Sequence, residues 1–280
     1  LAESTITHAE TARSPYLALV RDVLLGHFSP HSELIPVQPA ELLDEPGLAE
    51  QLAERGLVAA EHSCEEPEWI DEGLIWPRHA MTMIGRRRLG NIEHCIRDVV
   101  AGGVPGDVIE TGVWRGGAAI YMRAVLADLA ERDRSVWVAD SFAGLPPNDP
   151  ERYPADGEVE PLHLHDELAV SLEEVKANFG RLGLLDDRVV FVKGWFKDTL
   201  PALRDRSWAV IRLDGDLYES TIQALENLYP GLSPGGWLIV DDYGDIDACR
   251  QAVHDYRDAH AIAEPIHEVD RSGVCWKRSP

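Results

Sequence analysis

The chain reads as an α/β protein with a mostly parallel sheet covered by helices on both faces, and three observations predict it. From Asp107 onward, short apolar runs alternate with amphipathic stretches of helical period, the pattern that builds parallel sheets. Residues 208–240 form one complete repeat: WAVIRL (208–213) and GWLIV (236–240) flank the amphipathic LYESTIQALENLYPGL (217–232). Both of these strand-like runs end in acids, Asp214 and Asp216 after the first, Asp241 and Asp242 after the second. Parallel neighbours joined by a helix would bring both acidic pairs to the carboxyl edge of one sheet, where open α/β folds bind ligands.

The elements follow in order. Three helical stretches are expected ahead of the sheet, at 14–28, 39–56 and 78–103, separated by polar and Pro-containing loops. The alternation begins past residue 105, and the chain is expected to comprise an N-terminal helical extension over 1–77 and a sheet domain over 78–280. DVIETGV (107–113) is the first strand and runs through glycines into the helix GGAAIYMRAVLADLAERD (116–133). SVWVAD (135–140), the helix LAVSLEEVKANFGRLG (168–183) and RVVFVKG (188–194) come next, then the repeat at 208–240 and the helix DIDACRQAVHDYRDAHAI (245–262). EPIHEVD (264–270) and GVCWKR (273–278) fit an antiparallel edge hairpin. Residues 143–167 are too long and too rich in Pro, Gly and charge for a packed connection, and such a loop is expected to act as a lid.

Composition narrows the function. At 280 residues and 31.1 kDa the chain can bury one large core, and 45% hydrophobic with 27% charged residues is ordinary for a soluble protein. The net charge of −23, from 26 basic and 49 acidic residues, would repel nucleic acid and anionic membrane, so neither is an expected partner. No apolar run approaches a membrane span, and LAESTITHAETARSPY lacks the basic and apolar regions of a signal peptide; a cytoplasmic location is expected. Leu1 stands where an initiator Met would, so trimming or another start is expected. Cys64, Cys95, Cys249 and Cys275 have no C-x-x-C spacing and read as reduced thiols.

The acids carry the chemistry. Four carboxylates converging at one edge repel by several kcal/mol unless a cation, a proton or solvent separates them. They read as a divalent-metal site beside a substrate, with hard oxygen donors favouring magnesium or calcium over zinc. The plainer reading is that two of the four cap the following helices. Upstream, VIETGVWRGG places Glu110 two residues before Gly112, with Gly116 and Gly117 opening a helix. It matches neither a P-loop nor G-x-G-x-x-G. A carboxylate there disfavours a pyrophosphate but accepts a hydrogen bond from an ammonium or hydroxyl. Asp140, at the end of the second strand, can take both hydroxyls of a ribose, with a helix cap or turn as its plainer role. Together they suit an adenosine-bearing cofactor without phosphates.

At this point the sequence resembles the Rossmann-like class I methyltransferases that use S-adenosylmethionine, whose sheet has seven strands. More narrowly, it resembles the macrocin O-methyltransferase family, which methylates sugar hydroxyls in natural-product biosynthesis. VIETGVWRGGA, VWVADSFAGLP, SLEEVKANF, RVVFVKGWFKDTLP, AVIRLDGDLYEST, LYPGLSPGGWLIVDDYG and SGVCWKR carry the likeness over most of residues 78–277, and the N-terminal 75 residues match less clearly. The resemblance implies that Glu110 and Gly112 line the methionine end of the cofactor, with Asp140 and Ser141 on its ribose. Gly194 and Trp195 would border the adenine, although core packing is the common role of a tryptophan. MTMIG (81–85), with Met83, resembles the segment that folds over cofactor and substrate. The aspartates matching Asp216, Asp241 and Asp242 carry a magnesium-like ion in the family, with Asp214 closer to the cofactor. The N-terminal part takes part in substrate covering and subunit contacts there, which implies a homo-oligomer.

The expected reaction is metal-dependent methyl transfer from S-adenosylmethionine to a deoxysugar hydroxyl on a glycosylated natural product of antibiotic biosynthesis. An aliphatic hydroxyl is almost un-ionised at pH 7, so the site must align and activate it. Asp216 is the first choice of general base, with His163 or His165 from the lid as alternatives. A catechol-type phenol would chelate the same ion and is the main rival acceptor. A nicotinamide-dependent oxidoreductase lacks its glycine fingerprint here, and a non-catalytic scaffold would have no reason to keep Glu110, Asp140, Asp216, Asp241 and Asp242 as a set.

Overall fold

The structure, a computed structural model, describes residues 14–36 and 47–279. Helix α1 (Pro15–Leu24) opens on Ser14, whose Oγ accepts from the Leu17 amide at 3.4 Å. It stops short of the expected residue 28 because Gly26 turns the chain at φ +76°. Two short strands, β1 (Ser32–Pro36) and β2 (Ala60–Cys64), pair antiparallel, Ser32 opposite Cys64 and Pro36 opposite Ala60. The sequence reading had only helices in this part. Of the expected stretch 39–56 the structure has α2 (Leu48–Glu54), and residues 39–46 lie outside the described residues. Helix α3 (Pro67–Glu72) follows.

The helix expected from residue 78 begins at Gly85, as α4 (Gly85–Ala101). Gly85 has φ +72°, and a Cβ on it would lie 2.7 Å from the Asp71 carbonyl oxygen and from the Gly73 nitrogen. A residue in the left-handed region cannot continue a right-handed helix upstream. Residues before it therefore run as a loop, whose Met81 donates its amide to the Leu24 carbonyl at 2.8 Å and accepts from the Gly117 amide at 2.9 Å.

Seven strands form the main sheet: β3 (Asp107–Thr111), β4 (Val136–Asp140), β5 (Val189–Lys193), β6 (Trp208–Leu213), β7 (Leu232–Val240), β8 (His267–Glu268) and β9 (Val274–Lys277). Their spatial order is β5-β4-β3-β6-β7-β9-β8. The first five are parallel, while β9 runs antiparallel to β7 and to the two-residue β8, the edge hairpin foreseen. The order reverses between β3 and β6, which opens a crevice at their carboxyl ends.

Both faces are buried, which explains the continuous apolar strands. On one face α4, α5 (Gly117–Asp128) and α6 (Leu172–Arg181) pack Ile92, Ile120 and Phe179 into a core with Val108, Val210 and Ile239; Leu17 and Leu24 of α1 join it. On the other, α8 (Tyr218–Leu228) and α9 (Asp247–Ala259) pack Leu225 and Tyr256 over Ile109, Ile211 and Leu238; the short α7 (Phe196–Thr199) links β5 to that side. Among the described residues no helix is long and apolar enough to cross a membrane. The 143–167 segment contains three turns of 3-10 helix. It is tied down by Trp114, whose indole N–H donates to the Glu167 carbonyl at 2.8 Å, and by the fully buried Asp156.

Candidate active site

The carboxyl end of β3 forms one wall. Glu110 is 1% exposed, its Oε1 is held by Arg212, and its Oε2 has no partner. Burial pushes its carboxyl up to about 8, Asp214 and Asp241 add to this, and Arg212 opposes it. Gly112 has φ +78°, and a Cβ there would run into the Asp214 carbonyl oxygen, so this glycine first serves to let the ends of β3 and β6 touch. Gly117 plays a similar part for the Met81 carbonyl. Gly117 thus seats Met81 and Thr82 against the start of α5, where a phosphate-binding loop would hold an anion.

Asp140 ends β4. Its Oδ2 accepts from the Val113 amide at 2.7 Å, and its Oδ1 from the Phe142 amide at 2.6 Å and the Ser141 hydroxyl at 3.3 Å. Burial raises its carboxyl pKa against these bonds. An ionised carboxylate offers about four lone-pair positions, two on each oxygen, so these three bonds leave capacity on Oδ2.

Two arginines absent from the sequence reading organise the acids. Arg212, fully buried one residue before the carboxyl end of β6, pairs with Glu110, with Asp214 at 2.7 Å and with Asp241. Arg88, on the buried face of α4, pairs with the other oxygen of Asp241 and with Asp270 at 3.0 Å. Internal guanidiniums therefore meet much of the repulsion that the sequence alone assigned to an ion, a proton or solvent. Asp241 is 3% exposed with both oxygens engaged.

Asp216 and Asp242 stand apart from that network. Asp216 has φ +60°, and its amide donates to Asp242 Oδ2 at 3.1 Å. Among the described residues, neither carboxylate forms an ion pair with a Lys, Arg or His. Both groups, like Asp214, keep part of their surface open to the cavity while lying deep in the protein. Burial, then the neighbouring Asp214 and Asp241, pushes Asp216 up to about 7; burial, then Asp216 with Asp214 and Asp241, raises Asp242 well above the usual carboxylate range. Asp214 is pushed by burial up to about 6 against the pull of Arg212. One oxygen each of Asp214, Asp241 and Asp242 lie within 4.8 Å of one another. This set overlaps the expected Asp216, Asp241 and Asp242 but has Asp214 where Asp216 was expected. All four offer hard oxygen donors, and Asp216 and Asp242, which have no cationic side chain beside them, leave charge for a divalent ion to neutralise.

A cavity of about 460 Å³ joins the two ends. Met83, Glu110, Gly112, Asp140, Ser141, Trp195, Asp214, Asp216, Asp241 and Asp242 line it. Gly194 does not: its amide donates to the Asp140 carbonyl at 2.9 Å, and it sets the turn from which Trp195 reaches the cavity. His163 and His165 do not line it either; His165 pairs with Glu160 at 3.1 Å and packs edge-on against Trp76. Gly144, Pro146, Leu162 and Leu168 bring the 143–168 segment to the cavity instead. The orphaned Glu110 Oε2 suits the ammonium of an amino-acid cofactor, and Asp140 a ribose. The residues present fit S-adenosylmethionine.

A sheet of this order, with its crevice between β3 and β6 and acids after β6 and β7, defines a class I O-methyltransferase. Residues 13–278 match the family model described as Macrocin-O-methyltransferase (TylF), and the chain belongs to that family. The 8-demethyl-8-(2,3-dimethoxy-alpha-L-rhamnosyl)-tetracenomycin-C 4'-O-methyltransferase of Streptomyces olivaceus is 57% identical over 208 residues, 74% of this chain and 79% of that one. The Mycinamicin III 3''-O-methyltransferase of Micromonospora griseorubida is 50% identical over 227 residues, 80% and 88% of the two chains. The solved structure of the O-methyltransferase NovP superposes with a TM-score of 0.79 at 44% identity, over 95% of this chain and 98% of that one.

Proposed function

We propose that this enzyme methylates a deoxysugar hydroxyl on a glycosylated natural product of antibiotic biosynthesis, with a divalent ion, magnesium first, at the acidic end of the cavity. S-adenosylmethionine would supply an electrophilic methyl and the ion a Lewis acid that lowers the pKa of the acceptor hydroxyl. Glu110 would meet the cofactor ammonium, Asp140 and Ser141 would hold its ribose, and Trp195 would flank the adenine. Arg88 and Arg212 hold Asp241, leaving Asp216 and Asp242 to share the ion with it. Asp216 is the first choice of proton acceptor because it lines the cavity beside Asp214 and Asp242; burial and its acidic neighbours raise its carboxyl in the ion-free site, and a bound ion would oppose that rise.

The observation that carries this reading is the continuity of one cavity from Glu110, one of whose buried oxygens has no partner, to the two acids without a cationic partner. Its wall also includes Leu74 and Trp76, 46% and 45% exposed, an apolar surface on which an aglycone can rest while the sugar reaches the acids. The relatives' names support the substrate class, since one specifies a rhamnosyl tetracenomycin and another a mycinamicin. In the same reading residues 1–77 cover the acceptor in a cytoplasmic homo-oligomer. The test is to follow S-adenosylhomocysteine formation with a glycosylated natural product bearing a free sugar hydroxyl, with its aglycone, and with a simple catechol. Turnover of the glycoside alone is expected; preferential turnover of the catechol would replace the sugar reading with the phenol one.

A further inference from the structure

Helix α8 starts without a cap of its own. Its N-cap residue is Leu217, whose side chain has nothing to accept a hydrogen bond from the first free amides. Those amides are met from a distant part of the chain: Asp156 accepts from the Tyr218 amide at 2.6 Å through Oδ1 and from the Glu219 amide at 3.0 Å through Oδ2. Asp156 is 0% exposed and lies in the turn Pro154–Glu158. The turn is itself fixed. Asn148 Nδ2 donates to the Asp156 and Val159 carbonyls at 2.8 and 2.9 Å, and the Tyr153 ring packs 6.0 Å from that of Tyr218.

Asp216 lies two residues before the capped helix, in a left-handed conformation that is unfavourable for a residue with a Cβ. Such a conformation persists only where its surroundings over-determine it. Three ties hold it: the Asp216 amide on Asp242 Oδ2, the Leu217 amide on the Gly215 carbonyl at 2.6 Å, which closes a short turn around Asp216, and Asp156 on the amides just past Leu217.

We propose that Asp156 is a positioning residue for Asp216, capping α8 from the long segment after Asp140 and so holding the Asp216 carboxylate toward Asp242. The inference rests on the reading of Asp216 and Asp242 as the reactive end of the site. Without the cap the first turn of α8 frays, the short turn from Gly215 to Leu217 loses its support on the helix side, and Asp216 relaxes to a backbone conformation that turns its carboxylate away. The long segment after Asp140 then acts as a brace for the acidic end. A purely structural Asp156 would affect stability and leave the kinetics of the folded enzyme unchanged.

The experiment uses Asp156→Ala and Asp156→Asn in the full chain, with S-adenosylhomocysteine affinity by calorimetry, manganese affinity by electron paramagnetic resonance, and kcat. Asp156→Ala is expected to lower kcat and manganese affinity about tenfold each, the scale of one lost cap, with cofactor-product affinity within about twofold of the parent. Asp156→Asn, whose amide oxygen can still accept from one of the two amides, should fall between, and it carries the test if the alanine variant does not fold. Folded variants with the parent's kcat and manganese affinity would overturn the proposal, as would equal losses at both ends of the cavity. A parent that binds no manganese would contradict the metal reading, while kcat set against cofactor-product affinity would still decide the role of Asp156.

Discussion

Cofactor binding should expel a proton from Glu110. Its carboxyl, pushed up to about 8 chiefly by burial, is about nine-tenths protonated at pH 7 in the free enzyme. An ammonium within hydrogen-bonding reach of Oε2 favours the ionised form and lowers the pKa by about 1–3 units, which empties between roughly 0.4 and 0.9 of a proton. The ligand amine takes up about 0.1, because an α-amino group of ordinary pKa is mostly charged already. The net release at pH 7 is therefore about 0.3–0.8 proton per site. The sign follows from the linkage: the ligand prefers the deprotonated carboxyl, so affinity rises with pH up to about 8 and then levels off as far as Glu110 controls it. Calorimetry with S-adenosylhomocysteine in buffers of different ionisation enthalpy reads the proton count directly. Glu110→Gln should abolish the release and weaken binding about 10- to 100-fold, the worth of a charge-assisted hydrogen bond. No release, net uptake, or equal release by Glu110→Gln would refute this account of the cofactor end.

Two further expectations concern the acids and the cavity mouth. Arg212→Met strands Glu110, Asp214 and Asp241 without their shared partner and should cost about 3–5 kcal/mol in denaturant unfolding; a loss below 1 kcal/mol would mean that the network is not needed for stability. Trp76→Ala should raise KM for a glycosylated acceptor about five- to tenfold, the loss of one apolar aromatic contact, with S-adenosylhomocysteine affinity unchanged. A KM equal to the parent's would remove Trp76 from the aglycone surface.

The sheet was legible because its strands are buried on both faces and therefore run apolar without interruption, as in WAVIRL and GWLIV. The acids after them were legible because carboxylates beside such strands need a partner. The partner was the obscure part. Arg212 sits inside the same apolar run and is read over by any count of hydrophobic residues. Its one signal was that a lone cation in a buried strand must be paired, and the nearest acids were two residues on. Arg88 ends the run Arg86–Arg87–Arg88, which looks like a solvated basic stripe, and only the tertiary packing of α4 distinguishes the third arginine from the others. The β1–β2 pair was hidden because SELIP and AEHSC are short and carry no clear alternation, and its register depends on a partner some thirty residues away. The start of α4 depends on how close Gly85 lies to α3, and the pinning of the long segment depends on Asp156, which in sequence is one of many acids in a polar loop.

The most direct test of the metal-dependent reading is methyl transfer to a glycosylated acceptor by enzyme exhaustively depleted of divalent ions and then supplied with magnesium. Activity should fall to background on depletion and return with added magnesium in the parent, but not in Asp242→Ala, which should still bind S-adenosylhomocysteine. Full turnover by the depleted parent would contradict the account and leave Asp216 and Asp242 without the ion it assigns to them.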